Sequence, residues 1–242
     1  MGVSSILRRF STRGATCAAV IVAAGSASRM KGTDKIMAEL GGEPLILTTL
    51  RAFQNSQDIQ QIILVTREDL QEQISLLCVQ KRITKVTKIC KGGQTRAESV
   101  KEGLAHVSKD CDLVAIHDGA RPLVTDAVIH DAVRKAAKFG AAAPGVPVKD
   151  TIKEVHGGVV DKTLDRASLY AIQTPQVFNL DVYRAALETA LEKKDTLTDD
   201  CAAAEAYGLN VIITPGDETN LKVTTPTDLI LAEALLKARS AS

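Results

Sequence analysis

Apolar and polar positions along the chain fall into blocks with two different periods. The run "CAAVIVAA", from Cys17, is continuously apolar, and it predicts a strand over 18–24 covered on both faces, as strands of parallel sheets are. "PLILTTLRAF" (44–53) has helical spacing, with Pro44 suited to a first turn. "QQIILVT" (60–66) predicts a second strand, "REDLQEQISLLC" (67–78) a second helix with acids at its start, and "KVTKIC" (85–90) a third strand. "TRAESVKEGLAHV" (95–107) predicts a helix opened by a capping box of Thr95 and Glu98. Ala97, Val100, Leu104 and Val107 share one face of it, and Ser99 falls off that face. "DLVAIHDGARP" (112–122) reads as a strand running into a polar end. A helix over 126–140 stops at Gly140, and "AAAPGVPV" (141–148) is a further extended segment. The last helix, 225–238, has Thr225 as cap and Pro226 in its first position, and Lys222 falls in a strand before it. Strands that alternate with helices imply βαβ units and a mostly parallel sheet.

The segment 149–178 breaks this rhythm. "KDTIKEV" and "VVDKTLD" are polar, alternating and β-branched, with "HGG" between them, which predicts a hairpin. Its alternation is too polar for a core, so the hairpin is expected to project and to cover something, a second subunit being the natural candidate. The organisation expected is a basic tail over 1–16 and a single domain over 17–242, with an arm at about 149–178.

Charge narrows the partners. The 242 residues carry 30 basic and 29 acidic side chains, a net charge of +1. No global field draws nucleic-acid polymers or anionic membranes, so an anion must be recognised by a local cluster. Aromatics are 3% and Trp is absent, which argues against a stacking platform for single strands. Cys17, Cys78, Cys90, Cys111 and Cys201 are scattered, odd in number and without a CxxC, as in a reduced cytoplasmic protein. No apolar run reaches the length of a membrane span. Arg8, Arg9 and Arg13 beside several serines read as a basic tail; a plastid transit peptide has the same composition, and both readings stay open.

In open α/β sheets, ligands sit at the carboxyl ends of the strands. The loop leaving the first strand holds Gly25, Ser26, Ala27, Ser28, Arg29 and Lys35. Small residues let backbone N–H groups approach a polyanion, while Arg29 can fork onto phosphate and Lys35 acts as a point charge. The loop lacks the GK[ST] of a P-loop, and Ala27 and Arg29 break GxGxxG. A solvated turn is the plain alternative. Asp118 ends a buried strand, and a carboxylate beside a polyphosphate site is most simply a ligand for Mg²⁺ or another divalent cation, although Asp-Gly also makes ordinary turns. His117 invites a general-base reading, against the commoner packed histidine at a strand end. "GGQTRAES" (92–99) is a Gly-rich turn whose N–H groups suit a base edge or a phosphate. No Ser-His-Asp set is spaced convincingly and no GxSxG occurs. Together these residues point to phosphoryl or nucleotidyl transfer, which needs positioning and charge neutralisation and no protein nucleophile.

"AAGSASRM", "GGQTRAESV", "HDGARP", "DTIK", "LDRASLYAIQTPQVF", "TDDCAAAEAYG" and "NLKVTTPTDL" resemble, in order, the motifs of the 2-C-methyl-D-erythritol 4-phosphate cytidylyltransferase family, over about residues 17–237. The resemblance implies a Rossmann-like three-layer α/β sandwich with a protruding β-hairpin dimerisation arm. It implies transfer of CMP from CTP to methylerythritol phosphate, with release of pyrophosphate, in non-mevalonate isoprenoid synthesis. Arg29, Lys35 and Lys222 would be catalytic. Ala23, Ala24, Gly25, Ser26, Gly93, Gln94 and Ser99 would line the nucleotide site. Asp118 would face the divalent metal and the sugar phosphate, and Arg121, Thr151, Arg166 and Lys222 would hold methylerythritol phosphate. In the family the arm crosses a homodimer, so Thr151 and Arg166 would serve the partner's site. Ala27 replaces a frequent second glycine, and Gln94 stands where an acidic residue often follows the paired glycines. The nearest rival is a ribitol-5-phosphate cytidylyltransferase, whose first loop usually reads Ala-Gly-Gly where this chain has Ala23-Ala24-Gly25. A sugar-1-phosphate nucleotidyltransferase would carry a longer glycine-rich loop and an extra domain. An inactive nucleotide-binding module is opposed by the presence of Arg29, Lys35 and Asp118.

Overall fold

A computed structural model of the protein describes residues 14–25 and 34–240. The chain runs β1 (Cys17–Ala23), the short ribbon β2 (Glu39–Leu40) and β3 (Glu43–Pro44), α1 (Leu45–Asn55), β4 (Ile59–Thr66), α2 (Glu68–Gln80), β5 (Val86–Lys91), α3 (Arg96–Leu104) and β6 (Leu113–Asp118). Then come α4 (Asp126–Phe139), β7 (Ala141–Pro147), β8 (Lys153–His156), β9 (Val159–Thr163) and a short 3-10 turn (Arg166–Ser168). β10 (Tyr170–Ile172), β11 (Gln176–Asn179), α5 (Leu180–Lys193), α6 (Asp200–Ala206), β12 (Ile212–Pro215) and α7 (Pro226–Ser240) follow.

The uninterrupted apolar run of β1 is explained by its two neighbours. Cys17, Ala19, Ile21 and Ala23 face a core built from α1, α2 and α4, with Leu50, Phe53, Ile74 and Ile129 in it. Ala18 and Val20 face the opposite core, where they meet Val100 and Leu104 of α3 and Tyr183 and Leu187 of α5. Burying a large apolar side chain contributes roughly 1.5–3 kcal/mol, so a strand that feeds two cores is the fold's backbone. β5, β4, β1 and β6 lie side by side in that order, all parallel. β11 adds antiparallel to β6, and β7 in turn pairs with β11, β10 and β12. The result is the expected three-layer sandwich with a mostly parallel sheet. The winding direction reverses between β1 and β6, and in open α/β sheets that crevice is where ligands bind.

Local signals act as the sequence predicts at several ends. Thr95 and Glu98 form the capping box of α3. Gly140 ends α4 with φ of +91°, a left-handed value that favours glycine, and its N–H reaches Ala136 O. Asp228 at the start of α7 accepts from the backbone N–H of Thr224 and Thr225.

Three expectations change. The hairpin closes at Thr163, and residues 170–172 and 176–179 rejoin the main sheet as β10 and β11, so the projecting part is shorter than 149–178. Gln176–Asn179 are buried, because Val177 and Phe178 fill the two cores. Ser99, although off the apolar face, is buried as well, since its hydroxyl donates back to Thr95 O and Gly92 of the preceding turn lies against it. Lys222 is not in a strand. A turn in which Thr219 N–H donates to Asp217 and Asn220 N–H donates to Asp217 O ends the extended run after β12. Residues 1–13 of the expected tail and the residues Ser26, Ala27, Ser28 and Arg29 lie outside the described residues.

Candidate functional site

A cavity of about 280 Å³ opens at the carboxyl ends of β1 and β6. Its walls are Val22, Ala23, Ala24 and Gly25 at the exit of β1, the turn Gly93 to Arg96 with Ser99 beneath it, Asp118 at the end of β6 and Ala120 beyond it. Lys35, Ile36 and Lys222 complete the lining. A larger groove, about 840 Å³, runs along α2 and β5, but it lies on the flank of an edge strand, away from the convergent strand ends.

The walls are small for a packing reason. A Cβ on Gly92 would overlap Ala24 Cβ and stand 2.7 Å from Ser99 Oγ. The turn after β5 therefore presses directly on the exit of β1, and only glycine allows it. Gly93 is similarly closed against Glu98, whose carboxylate accepts from the N–H of Gln94 at 2.7 Å.

Asp118 is the electrostatic centre. Its Oδ1 accepts from Arg96 Nε at 3.2 Å, and its Oδ2 lies 2.9 Å from Lys222 Nζ. Arg121 Nε is 3.6 Å from the same Oδ2, an ion pair too long to be a hydrogen bond. Burial pushes the Asp118 carboxyl up, but Arg96, Lys222 and Arg121 outweigh burial and hold it well below the usual carboxylate range. Arg121 is itself nearly covered; burial lowers its pKa, and Asp118 opposes that. Its Nη1 donates to Asn220 O at 2.8 Å. Asn220 donates its amide to Thr174 O, and Val223 N–H donates to Ala120 O, so Lys222 is carried by a segment pinned on both sides.

His117 serves this geometry without chemistry of its own. Nε2 faces Arg121 O, which can only accept, so that nitrogen carries the proton. Nδ1 then accepts from the Thr174 hydroxyl, whose oxygen accepts from Asp118 N–H. Complete burial holds the imidazole pKa down to about 3, so His117 stays neutral and is shut off from any substrate.

Of the residues singled out in the sequence, Ala23, Ala24, Gly25, Lys35, Gly93, Gln94, Ser99, Asp118 and Lys222 line one cavity. Arg121 stands behind Asp118 and is not part of the lining. Thr151 and Arg166 are exposed beside the hairpin, with Arg166 Nη1 donating to Lys149 O at 2.6 Å, and neither lines the cavity of its own chain. Arg96 was not singled out, yet it joins Asp118 to Asp200; its place in "GGQTRAES" was the available signal.

A divalent cation fits this donor set only in company. Asp118 is the one carboxylate on the cavity wall among the described residues, and both its oxygens are already faced by cations. Mg²⁺ is commonly held by one or two carboxylates together with substrate phosphates, so the site suits an ion held mainly by a polyphosphate.

Comparison with known proteins gives a consistent picture. Residues 17–238 match the family model described as 2-C-methyl-D-erythritol 4-phosphate cytidylyltransferase. The chain is 43% identical over 224 residues to the protein of that name from Geobacillus kaustophilus, covering 92% of this chain and 98% of that one. It is 44% identical over 220 residues to the one from Dehalococcoides mccartyi, covering 90% and 95%. Among solved structures, 4-diphosphocytidyl-2C-methyl-D-erythritol synthase from Anaerococcus prevotii superposes with a TM-score of 0.83 at 30% identity, covering 93% of this chain and all of that one. The 2-C-methyl-D-erythritol 4-phosphate cytidylyltransferase of Thermus thermophilus does so with a TM-score of 0.75 at 30% identity, covering 90% and 98%.

Proposed function

The chain belongs to the 2-C-methyl-D-erythritol 4-phosphate cytidylyltransferase family, and from that premise we propose that it transfers CMP from CTP to 2-C-methyl-D-erythritol 4-phosphate in the non-mevalonate route to isoprenoids. In the transfer, a phosphate oxygen of the sugar phosphate attacks the α-phosphorus of CTP. The bond to the β-phosphate breaks, and pyrophosphate leaves with the electron pair. The observation that carries this reading is the cluster of Arg96, Lys222 and Asp118 at the crevice between β1 and β6, with Lys35 on the same cavity wall. Preorganised cations aimed at developing phosphate charge supply the largest part of such catalysis.

The roles divide along the cavity. Ala23, Ala24, Gly25, Gly93, Gln94 and Ser99 line one side of the cavity with mostly small residues, which leaves backbone groups within reach of a pyrimidine edge. Lys35, together with Arg29 and Ser26 of the first loop, would hold the triphosphate and its transition state. Lys222, Asp118 and Arg121 would orient the sugar phosphate. A bound Mg²⁺ would neutralise charge on the triphosphate oxygens, and Asp118, the carboxylate of the cavity wall, would be the residue to hold it. Thr151 and Arg166 are read as substrate contacts delivered across a homodimer, because neither reaches the cavity of its own chain.

The test is pyrophosphate release with CTP and Mg²⁺, offering methylerythritol phosphate and ribitol 5-phosphate in parallel. Turnover is expected with methylerythritol phosphate, and with CTP well above ATP. Turnover with ribitol 5-phosphate alone would overturn the substrate assignment.

A further inference from the structure

Beneath the cavity floor lies a second layer of polar groups, Asp200 and Tyr183, which are buried and reach the cavity only through Arg96. The Arg96 guanidinium is held between two carboxylates: Nε donates to Asp118, and Nη2 donates to Asp200 Oδ2 at 2.6 Å. The other oxygen of Asp200 accepts from the Tyr183 hydroxyl at 2.7 Å. Tyr183 is fully buried and its ring stacks on Phe178, with centroids 4.3 Å apart. Gln176 Oε1 accepts from the N–H of both Asp200 and Cys201 at 2.9 Å, and Gln176 Nε2 donates to Asp199, so the start of α6 is clasped to β11.

Asp200 has a 2% exposed side chain, and the partners of its carboxylate are Arg96 and Tyr183 alone among the described residues. A buried carboxylate is costly to desolvate, and a buried ion pair often stabilises a fold no more than an apolar pair of equal volume. What such a pair supplies reliably is direction. Here it fixes the plane of a guanidinium that would otherwise be free to turn toward solvent, since the Arg96 side chain is 30% exposed where it meets the cavity. Burial works against the Arg96 charge, but Asp200 and Asp118 more than restore it, so Arg96 remains a permanent cation.

We propose that Asp200, buttressed by Tyr183, is a positioning residue for the nucleotide: it locks Arg96 at the floor of the cavity, between the turn that begins at Gly93 and the Asp118 carboxylate. The inference rests on the cytidylyltransferase reading above. Arg96 belongs to the base-side turn and also reaches the charged centre, so loosening it should cost nucleotide affinity first. Asp200 acts through Arg96 and never meets CTP.

The experiment is calorimetric titration of CTP with Mg²⁺ into the full-length protein, alongside KM values for CTP and for methylerythritol phosphate. Wild-type protein that neither binds nor turns over CTP would defeat the functional reading itself. With the wild type active, Asp200→Asn should weaken CTP binding at least tenfold, the scale of losing a hydrogen bond to a charged group. Tyr183→Phe keeps the stacked ring and should weaken it about threefold to tenfold. The KM for methylerythritol phosphate should move by less than the KM for CTP in both. If Asp200→Asn does not fold, Tyr183→Phe decides. A purely structural role would lower melting temperature or active fraction, hence kcat, and leave the CTP dissociation constant unchanged. That result in the folded variants would overturn the proposal.

Discussion

Lys35 lines the cavity from a stretch of chain held by its neighbours. Asp34 pairs with Arg67 at the exit of β4, and Asp34 Oδ1 accepts from Ile36 N–H at 2.9 Å. The backbone on both sides of Lys35 is thereby fixed, and the ammonium works from a prepared position. Lys35→Ala should lower kcat ~10²–10³-fold, the usual consequence of losing one preorganised charge contact. Its melting temperature should stay at the wild-type value, because the side chain is outside the apolar cores. A variant with near wild-type kcat would remove the assigned role. His117 makes a prediction of the opposite kind, on stability. Its folded pKa of about 3 lies below the unfolded value of about 6.5, so the unfolded chain binds more protons between those two values. The contribution is full above about pH 6.5 and is lost as pH falls toward 3. Urea midpoints at pH 7 and pH 4.5 should therefore draw apart in the wild type more than in His117→Gln. Equal separation would show that His117 does not titrate this way.

Among the elements, the turn between β5 and α3 is the one most sensitive to a single methyl group. Gly92→Ala puts a Cβ between Ala24 and Ser99, where no space exists. Overpacking of this kind costs about 1–3 kcal/mol, and relief by backbone movement would separate the two walls of the nucleotide site. Raised KM for CTP with a lowered melting temperature is expected, and unchanged values of both would contradict the contact. This wall was half legible in the sequence. The paired glycines, the capping box and the apolar run of β1 are local signals, because burial on both sheet faces and helix initiation each leave a pattern within a few residues. Asp118 was legible too, since a strand's carboxyl end is where such folds bind ligands. The pairing of Arg96 with Asp200 was not, as the partners are 104 residues apart and only the packing of α6 on α3's side of the sheet brings them together. Lys222 was identified but put in the wrong element, because "NLKVT" alternates like a strand while Asp217 and Thr219 turn the chain. The hairpin was found from its polar alternation, and its far boundary was missed because residues 176–179 turn apolar and re-enter the core.

At the scale of the whole molecule, the projecting hairpin has no core of its own. Val159 and Val160 are exposed, and β8 and β9 form a two-stranded sheet that stands apart from the main one. An isolated two-stranded hairpin is marginal in water, so docking on a second copy by two-fold symmetry would bury both arms reciprocally. Subunit mixing examines this. Arg166→Ala and Lys35→Ala proteins, each nearly inactive, are unfolded together and refolded. If Arg166 serves the partner's site, a mixed dimer has one doubly damaged and one intact site, and activity should return to roughly a quarter of wild type. No recovery despite measured subunit exchange would mean that Arg166 acts within its own chain. The carboxylates under the cavity have a consequence for the empty enzyme. Lysines and arginines gathered round one crevice repel one another when no substrate is present. Asp118 and Asp200 are resident counter-ions, which keep the cluster assembled between turnovers. A triphosphate therefore enters a crevice whose cations are already held in place, and pyrophosphate can leave without the site springing apart behind it.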